Sequence, residues 1–487
     1  MGNRSRRGRA SLFLALAGLA VAAWAPPARA QDVDTRLVRF DGGVLRGDIR
    51  VNAGIITGIG AGNAATAGIA TSALPDAAAA YWNPAALARV AGNQVLLDFV
   101  PNLSIEAAER FGLDDEIVDG QETALRSIRA LGDTLLGSEF NSELFQQGGI
   151  RGGAAAVAAG DFLTLGAALA QPIDLALEVV GGGISLGLDL LADVGGQTET
   201  IQFASITDFS VVANLRATQL SFAAAAQLEP WAQEDVAVGF SVDRYDASAV
   251  LSGRIVPQAV IARGGNEEFY NDETKSWHND LTQSADGRFA GHGWGFKAAV
   301  SYRMRGMGAR PILDLVYVNA PSFTLLGDMT IRENRPPFLD DPPTLPDLSE
   351  LTQTDSLSNP TATEVKVQLP SKLEISLAVP WREATILVDW ASYHGVFAAG
   401  FLDYAVGIEP ETSLRAAFQY HHFFMGGGVI HGKTVEDNLS DTALRDDVTL
   451  PLAGIGGTFR VSDSVQLSTL VYGVPMPFLR LTAAVEF

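Results

Sequence analysis

Few residues of this 487-residue chain have the types and spacing that chemistry needs. His421, His422 and His431 form the densest imidazole group, a pattern that suggests a metal. Adjacent strand residues point to opposite faces, so the first two do not converge readily, and neither metal nor other cofactor is expected. Gly60-Ala61-Gly62-Asn63-Ala64-Ala65 matches a G-x-G-x-x-A nucleotide fingerprint, but it lacks the strand–turn–helix context that gives such a match meaning. Asp340-Asp341 and Asp446-Asp447 are loop acids, read as solvated surface or as divalent bridges to lipopolysaccharide. No Ser/His/Asp arrangement stands out among the six histidines, so an enzyme, such as a lipid hydrolase, is not expected. Lys366, Lys372 and Arg415 are cations on alternating stretches. They are expected inside the fold, to meet a carboxylate headgroup or to pair with acids there.

The remaining chemistry is burial of apolar cargo, at about 0.8 kcal/mol per CH₂ group. Leu177, Val180, Leu186 and Leu190, with Leu175 and Val179 beside them, could line a groove. Phe140, Leu144 and Phe145 could form its other wall. The plainer reading is that both stretches cap the fold and bury these faces against each other. The first stretch, IDLALEVVGGGISLGLDLL (173–191), carries three central glycines with Asp174, Glu178 and Asp189. It reads as two short amphipathic segments around a hinge, not as a membrane-spanning helix.

The elements that must position these residues are strands. Leu414, Ala416, Phe418 and Tyr420 alternate with Arg415, Ala417, Gln419 and His421, and similar alternation recurs to the end of the chain. Strands are expected near 93–106, 150–159, 162–171, 208–228, 235–250, 291–304, 310–326, 362–380, 384–396, 402–409, 412–424, 448–460, 464–473 and 478–487. Long connections (107–149, 172–207, 251–290, 327–361, 425–447) alternate with short ones such as WRE (381–383) and Pro410-Glu411. A sandwich has no reason to sort connection lengths by parity. A transmembrane β-barrel does, with short periplasmic turns and longer outer loops. The expected fold is therefore all-β, an antiparallel transmembrane barrel of about fourteen strands. In such a barrel the apolar face of each strand meets lipid and the polar face meets the lumen.

Composition agrees. The net charge of −22 excludes nucleic acid as a partner, since little could neutralise phosphates. There are no cysteines to staple an exported chain, and a closed sheet, which pairs every backbone group, removes the need. Arg4, Arg6, Arg7 and Arg9, an apolar run from Leu12 to Ala23, and Ala28-Arg29-Ala30 make a cleavable signal peptide over 1–30. The alternating apolar residues ending in Phe487 resemble the terminal signal read by the outer-membrane assembly machinery.

Between signal and strands, 31–92 does not alternate. It is rich in Gly and Ala, and Pro84 pushes Asn83 out of helical geometry. A compact apolar segment before a barrel has an obvious place inside it. The stretch GNAATAGIATSALPDAAAAYWNPAALARVAG, with Asp76, the Asn83-Pro84-Ala85 triplet and Leu87, resembles the long-chain fatty acid transport proteins of the Gram-negative outer membrane, the FadL/TodX type. LPSKLEISLAVPW and ILVDWASYHGVF are later echoes. The resemblance implies an N-terminal hatch plugging a barrel (93–487); the segment 31–92 holds that hatch, preceded over 31–52 by extra residues that depart from the family's pattern. It implies capture of long-chain fatty acids or other hydrophobic small molecules among outer loops. Gated passive diffusion past Asp76, Asn83, Pro84, Ala85 and Leu87 would follow. One chain is expected to make the whole barrel, in the outer membrane and in contact with its lipid and lipopolysaccharide. A general porin or structural barrel is the alternative.

Overall fold

The computed structural model describes residues 35–42, 45–55, 68–106, 138–194, 197–228, 235–263, 266–271, 274, 280, 282–305, 310–335, 355–401, 404–437, 447–473 and 477–487. The signal-peptide segment, the fingerprint at 60–65 and the two Asp340-Asp341 acids lie outside them.

The chain opens with β1 (Thr35–Gly42), β2 (Leu45–Ile55), a short helix α1 (Ala79–Trp82) and a 3-10 turn (Pro84–Arg89). Strands follow: β3 (Gln94–Val100), β4 (Leu103–Glu106), β5 (Ser138–Gln146), β6 (Gly149–Ala158), β7 (Leu163–Val194), β8 (Gln197–Gln227), β9 (Asp235–Arg263), β10 (Asn266–Tyr270), β11 (Gln283–Arg303), β12 (Ile312–Asn319) and β13 (Ser322–Arg335). The rest are β14 (Asp355–Gln368), β15 (Ser371–Trp381), β16 (Ala384–His394), β17 (Phe397–Phe401), β18 (Tyr404–Tyr420), β19 (Phe423–Asp437), β20 (Asp447–Arg460), β21 (Val465–Gly473) and β22 (Pro477–Glu486).

Pairing runs from β3 through β6, β7, β8, β9 and β11 to the broken staves β12/β13, β15/β14 and β16/β17. It continues through β18, β19, β20, β21 and β22, and β22 returns to β3 with Glu486 opposite Gln94. The result is a closed fourteen-stave antiparallel barrel. Three adjacent staves break at one height, at Ala320-Pro321, Leu369-Pro370 and Gly395-Val396. Proline cannot donate to a ladder, so two of these breaks fall where the sequence demands them.

Stave heights differ greatly. β7 and β8 have 32 and 31 residues, whereas β21 has 9. At roughly 3.3 Å per residue the tall hairpin runs on the order of 100 Å and the short stave about 30 Å. One end of the barrel is closed by short turns, and the other carries hairpins that rise as a wall on one side.

Several sequence expectations need correction. Segments 402–409 and 412–424 are one strand, β18, with a bulge between Pro410 and Thr412 where a turn was expected. The turn lies at His421-His422, and β19 occupies most of the supposed loop 425–447. Its glycines hid it from the alternation, but Gly428 is needed: a Cβ there would lie 2.4 Å from the Leu414 carbonyl oxygen. The strand count agrees because one split strand and one missed strand offset each other. The 173–191 stretch is the upper length of β7, paired with β8 over both its halves, with a register shift between Gly181 and Ile184 where the hinge was expected. The supposed loop 251–290 is likewise mostly ladder, and 327–335 and 355–361 of the supposed loop 327–361 are paired parts of β13 and β14. Residues 35–55, grouped with the hatch by sequence, are strands of the outer wall: β1 and β2 pair with β7, and β2 also pairs in parallel with β5.

Candidate functional site

The lumen at the short-turn end is filled by the chain's own N-terminal segment. Ile69, Ala70, Ala77, Ala80, Ala85 and Leu87 have no exposed surface at all. Ile69 packs with Ile312, Ala378, Leu387 and Ala417 of the wall, and the others pack on small inward residues including Ala154, Ala156, Ala168, Ala223, Ala225 and Ala299. Small side chains on both sides let the two backbones approach closely. At Gly239 of β9 the approach is limiting, since a Cβ would sit 2.2 Å from the Pro84 carbonyl carbon.

Asn83 explains the break quoted by the sequence. It is extended, with φ −145° and ψ 94°, as the residue before a proline prefers. Its Oδ1 accepts from the Ala85 N–H at 3.1 Å, capping the 3-10 turn, and its Nδ2 donates to the Ala70 carbonyl at 3.2 Å. One side chain thus ties the two legs of the plug together. Ala78 N–H donates to the Asp76 carboxylate at 2.9 Å, and Ala77 N–H donates to Gln94 Oε1.

The wall holds this plug with charge. Ala70 N–H donates to Glu374 at 2.7 Å, Ser72 N–H to Asp314 at 2.9 Å, and Arg415 to the Gly68 carbonyl at 2.7 Å. Arg415 also pairs with Glu374 at 3.0 Å and Asp389 at 2.5 Å, and Lys372 with Glu374 at 2.5 Å. Arg89 of the plug pairs with Asp235 at 2.8 Å, and Lys297 with Asp243 at 2.7 Å. The Lys297 ammonium also lies 5.1 Å from the Tyr81 ring centroid. Glu374, Asp389, Asp235 and Asp243 thus each have a cationic partner, as a buried charge requires, whereas Asp314 accepts from the Thr71 hydroxyl and the Ser72 N–H. Asp76 differs. Burial pushes its carboxyl up to about 7, against the opposing pull of the Ala78 N–H, with the nearby Asp98 adding to the rise.

Above the plug the lining changes character. Tyr245, Ala247, Phe289, Phe323, Leu325 and Val367 point inward, are buried, and pack together with Ile173, Leu175 and Phe397. On the outside at that height stand exposed Arg244, Asp246, Ser248, Arg288 and Lys366. Below it the outside is a belt of exposed apolar side chains, among them Phe240, Phe296, Leu315, Ile375, Val388, Trp390 and Ile455.

The structure thus gathers Asp76, Asn83, Pro84, Ala85 and Leu87 in one plug. It does not gather the expected groove as a unit. Leu177 is on the inward face of β7 opposite Ala213, but Val180 is 54% exposed on the outer face. Leu144 is half-buried opposite Val51, while Phe145 lies beneath the Arg50 guanidinium, 4.8 Å from ring centroid to carbon. Phe140, Leu186 and Leu190 have described backbones in β5 and β7, and their side chains lie outside the described set. Lys372 and Arg415 face the lumen as expected. Lys366 does not, because the Leu369-Pro370 break changes which parity points inward.

Sequence reasoning missed the anchoring acids. Asp314, Glu374 and Asp389 are each a lone acid within an otherwise apolar stretch of strand, and that isolation was the available signal; Asp243 sits among other charges of β9.

No protein-family model matches the chain, and no curated protein matches it. Among solved structures it is similar to a Pseudomonas aeruginosa FadL homologue, at 12% identity and a TM-score of 0.49, over 89% of this chain and 99% of that one. It is also similar to the Pseudomonas putida toluene transporter TodX, at 12% identity and a TM-score of 0.41, covering 88% and 98%. The monoaromatic hydrocarbon channel CymD is similar at 11% identity and a TM-score of 0.43, covering 89% and 98%.

Proposed function

We propose that the chain is an outer-membrane transporter for hydrophobic compounds, with long-chain fatty acids as the cargo, working by plug-gated passive diffusion. The observation that carries this reading is the apolar interior set directly above a plug held by polar bonds. A porin lumen would be polar and open to water along its length. The apolar outer belt suits hydrocarbon, and the charged surface above it suits headgroups and water. An acyl chain entering from the hairpin end would replace contacts among Phe289, Leu325 and their neighbours, gaining about 0.8 kcal/mol per buried CH₂. A carboxylate descending with it would meet Lys372 and Arg415. Passage would require the plug to shift, and Asn83, Pro84, Ala85, Leu87 and Asp76 are the residues that set its shape. No step calls for bond making, so the reading is not enzymatic.

The test is uptake of radiolabelled oleate by a Gram-negative host lacking its own transporter, with and without this chain. Restored uptake supports the reading. Absent uptake, from a barrel shown folded by heat-shifted gel mobility, refutes fatty acids as cargo. Asn83→Ala removes the tie between the plug legs and the cap of the 3-10 turn, and is expected to change uptake at least tenfold while that mobility shift persists.

A further inference from the structure

We propose that β2 is a detachable stave: it seals a slot in the outer wall, and its release opens the apolar interior to the outside. The proposal rests on the transport reading above. It begins with a gap in the ring. β6 accompanies β7 only as far as Leu169, opposite Gly153. From Ile173 upward the same edge of β7 is paired by β2, with Ile55 opposite Ile173 and Arg46 opposite Gly182. The other edge of β2 pairs with β5, from Leu45 opposite Ser138 to Val51 opposite Leu144. Among the described residues β2 is the one bridge between β5 and β7.

The two faces of β2 differ. Ile49 and its neighbour Val179 are each 1% exposed, so the inner face seals the apolar lining that begins at Ile173 and Leu175. The outer face is held by polar pairs: Arg50 with Glu143 at 2.7 Å and Glu178 at 2.8 Å, Asn52 with Asp174 at 3.1 Å, and Asn141 with Asp48 at 2.9 Å. The Arg50 side chain is 41% exposed, and pairs of that kind contribute little and weaken with salt. The β5 contact is the one parallel pairing in the sheet, the weaker kind per residue. No hairpin turn ties β2 to β5 or β7, whereas the other tall staves are joined to a neighbour. Downstream of β2 the chain reaches Gly68 and Ala70, which Arg415 and Glu374 hold.

The chain has no cysteine, so staples can be placed cleanly. Asn52→Cys with Ala176→Cys joins β2 to β7 across directly opposed positions, and Asn214→Cys with Ala176→Cys joins β8 to β7 at the same rung. Oxidising the first pair is expected to lower oleate uptake at least tenfold, reversibly with dithiothreitol, while the second leaves it unchanged. Equal uptake with the β2 staple closed overturns the proposal. If no variant, stapled or not, carries oleate, the transport reading fails, and a second measurement still decides the role of β2. Amide hydrogen exchange in liposomes is expected to be at least tenfold faster over 46–52 than over 208–216 of β8. Equal protection of the two segments overturns a detachable stave.

Discussion

The lower and upper halves of this barrel are built from the same strands with opposite surfaces. Along β9 the outward residues run Val236, Val238, Phe240 and Val242, then Arg244, Asp246 and Ser248. The inward residues run Asp235, Ala237, Gly239, Ser241 and Asp243, then Tyr245, Ala247 and Ala249. No bulge separates the two regimes on this strand, so the backbone does not cause the change. The medium does. Hydrocarbon outside requires apolar residues outward, and leaves the lumen free for the charges that anchor a plug. Water outside requires the reverse and makes the interior a place where an apolar molecule is at home.

The sharpest way to break the comparison is to put one charge on each half of the same face. Phe240→Arg places it in the belt, at a cost of about 2–4 kcal/mol near the bilayer midplane. Ser248→Arg places it among residues that are already charged, and the cost is expected to be close to nil. Urea titration of the barrel in vesicles, read by heat-shifted gel mobility, is expected to separate the two variants by that amount. Equal midpoints would mean that the belt does not lie in hydrocarbon.

A second break falls inside the lower half. Arg415→Met leaves Glu374 and Asp389 close together with Lys372 as their remaining cation, and frees the Gly68 carbonyl. Removing one partner of a buried ionic group costs about 3–5 kcal/mol. That cost is expected to fall on plug docking, because the surrounding ladder is made by backbone. Single-channel recording in planar bilayers should show ion conductance rising at least tenfold over the unsubstituted barrel. A silent bilayer containing a folded Arg415→Met barrel would show that plug closure does not depend on this cluster.

The two halves also differ in how far sequence reveals them. In the lower half the alternation and the Asn83-Pro84 break carried through, as a lipid-facing row with a strict period on each stave would have it, although the turn at His421-His422 was missed. The upper half misled. Leu175, Leu177 and Val179 alternate with Asp174, Ala176 and Glu178 as a strand should. The glycines at 181–183 and the length of the stretch disguised it as a loop. Nothing in the chain announces that a ladder continues beyond the membrane, since a strand in water can pair without a lipid-facing row. Where β1 and β2 dock was also hidden, because a strand added to a distant edge leaves no local period that names its neighbour. The anchoring acids were legible only in principle. Glu374 and Asp389 are each one charge in a run, LEISLAV or ILVDWAS, and their partner Arg415 lies on another stave.

The smallest effect expected concerns pH and one carboxyl of the plug. The Asp76 carboxyl, raised to about 7 by burial, binds its proton more tightly with the plug docked than in the exposed chain, where an aspartate titrates near 3.9. The sign follows from linkage: the favourable contribution is fully present below about pH 4 and is lost as pH rises through 7. The docked plug should therefore loosen between pH 5 and 8, by no more than tenfold per pH unit because a single proton is involved. A cysteine at Ala86, buried in the plug, reports this through its labelling rate, corrected for thiolate fraction with an exposed control cysteine. Asp76→Asn keeps an oxygen to accept from Ala78 but cannot ionise, and it should flatten the profile. An unchanged slope in Asp76→Asn would assign the pH response to the paired charges of the wall.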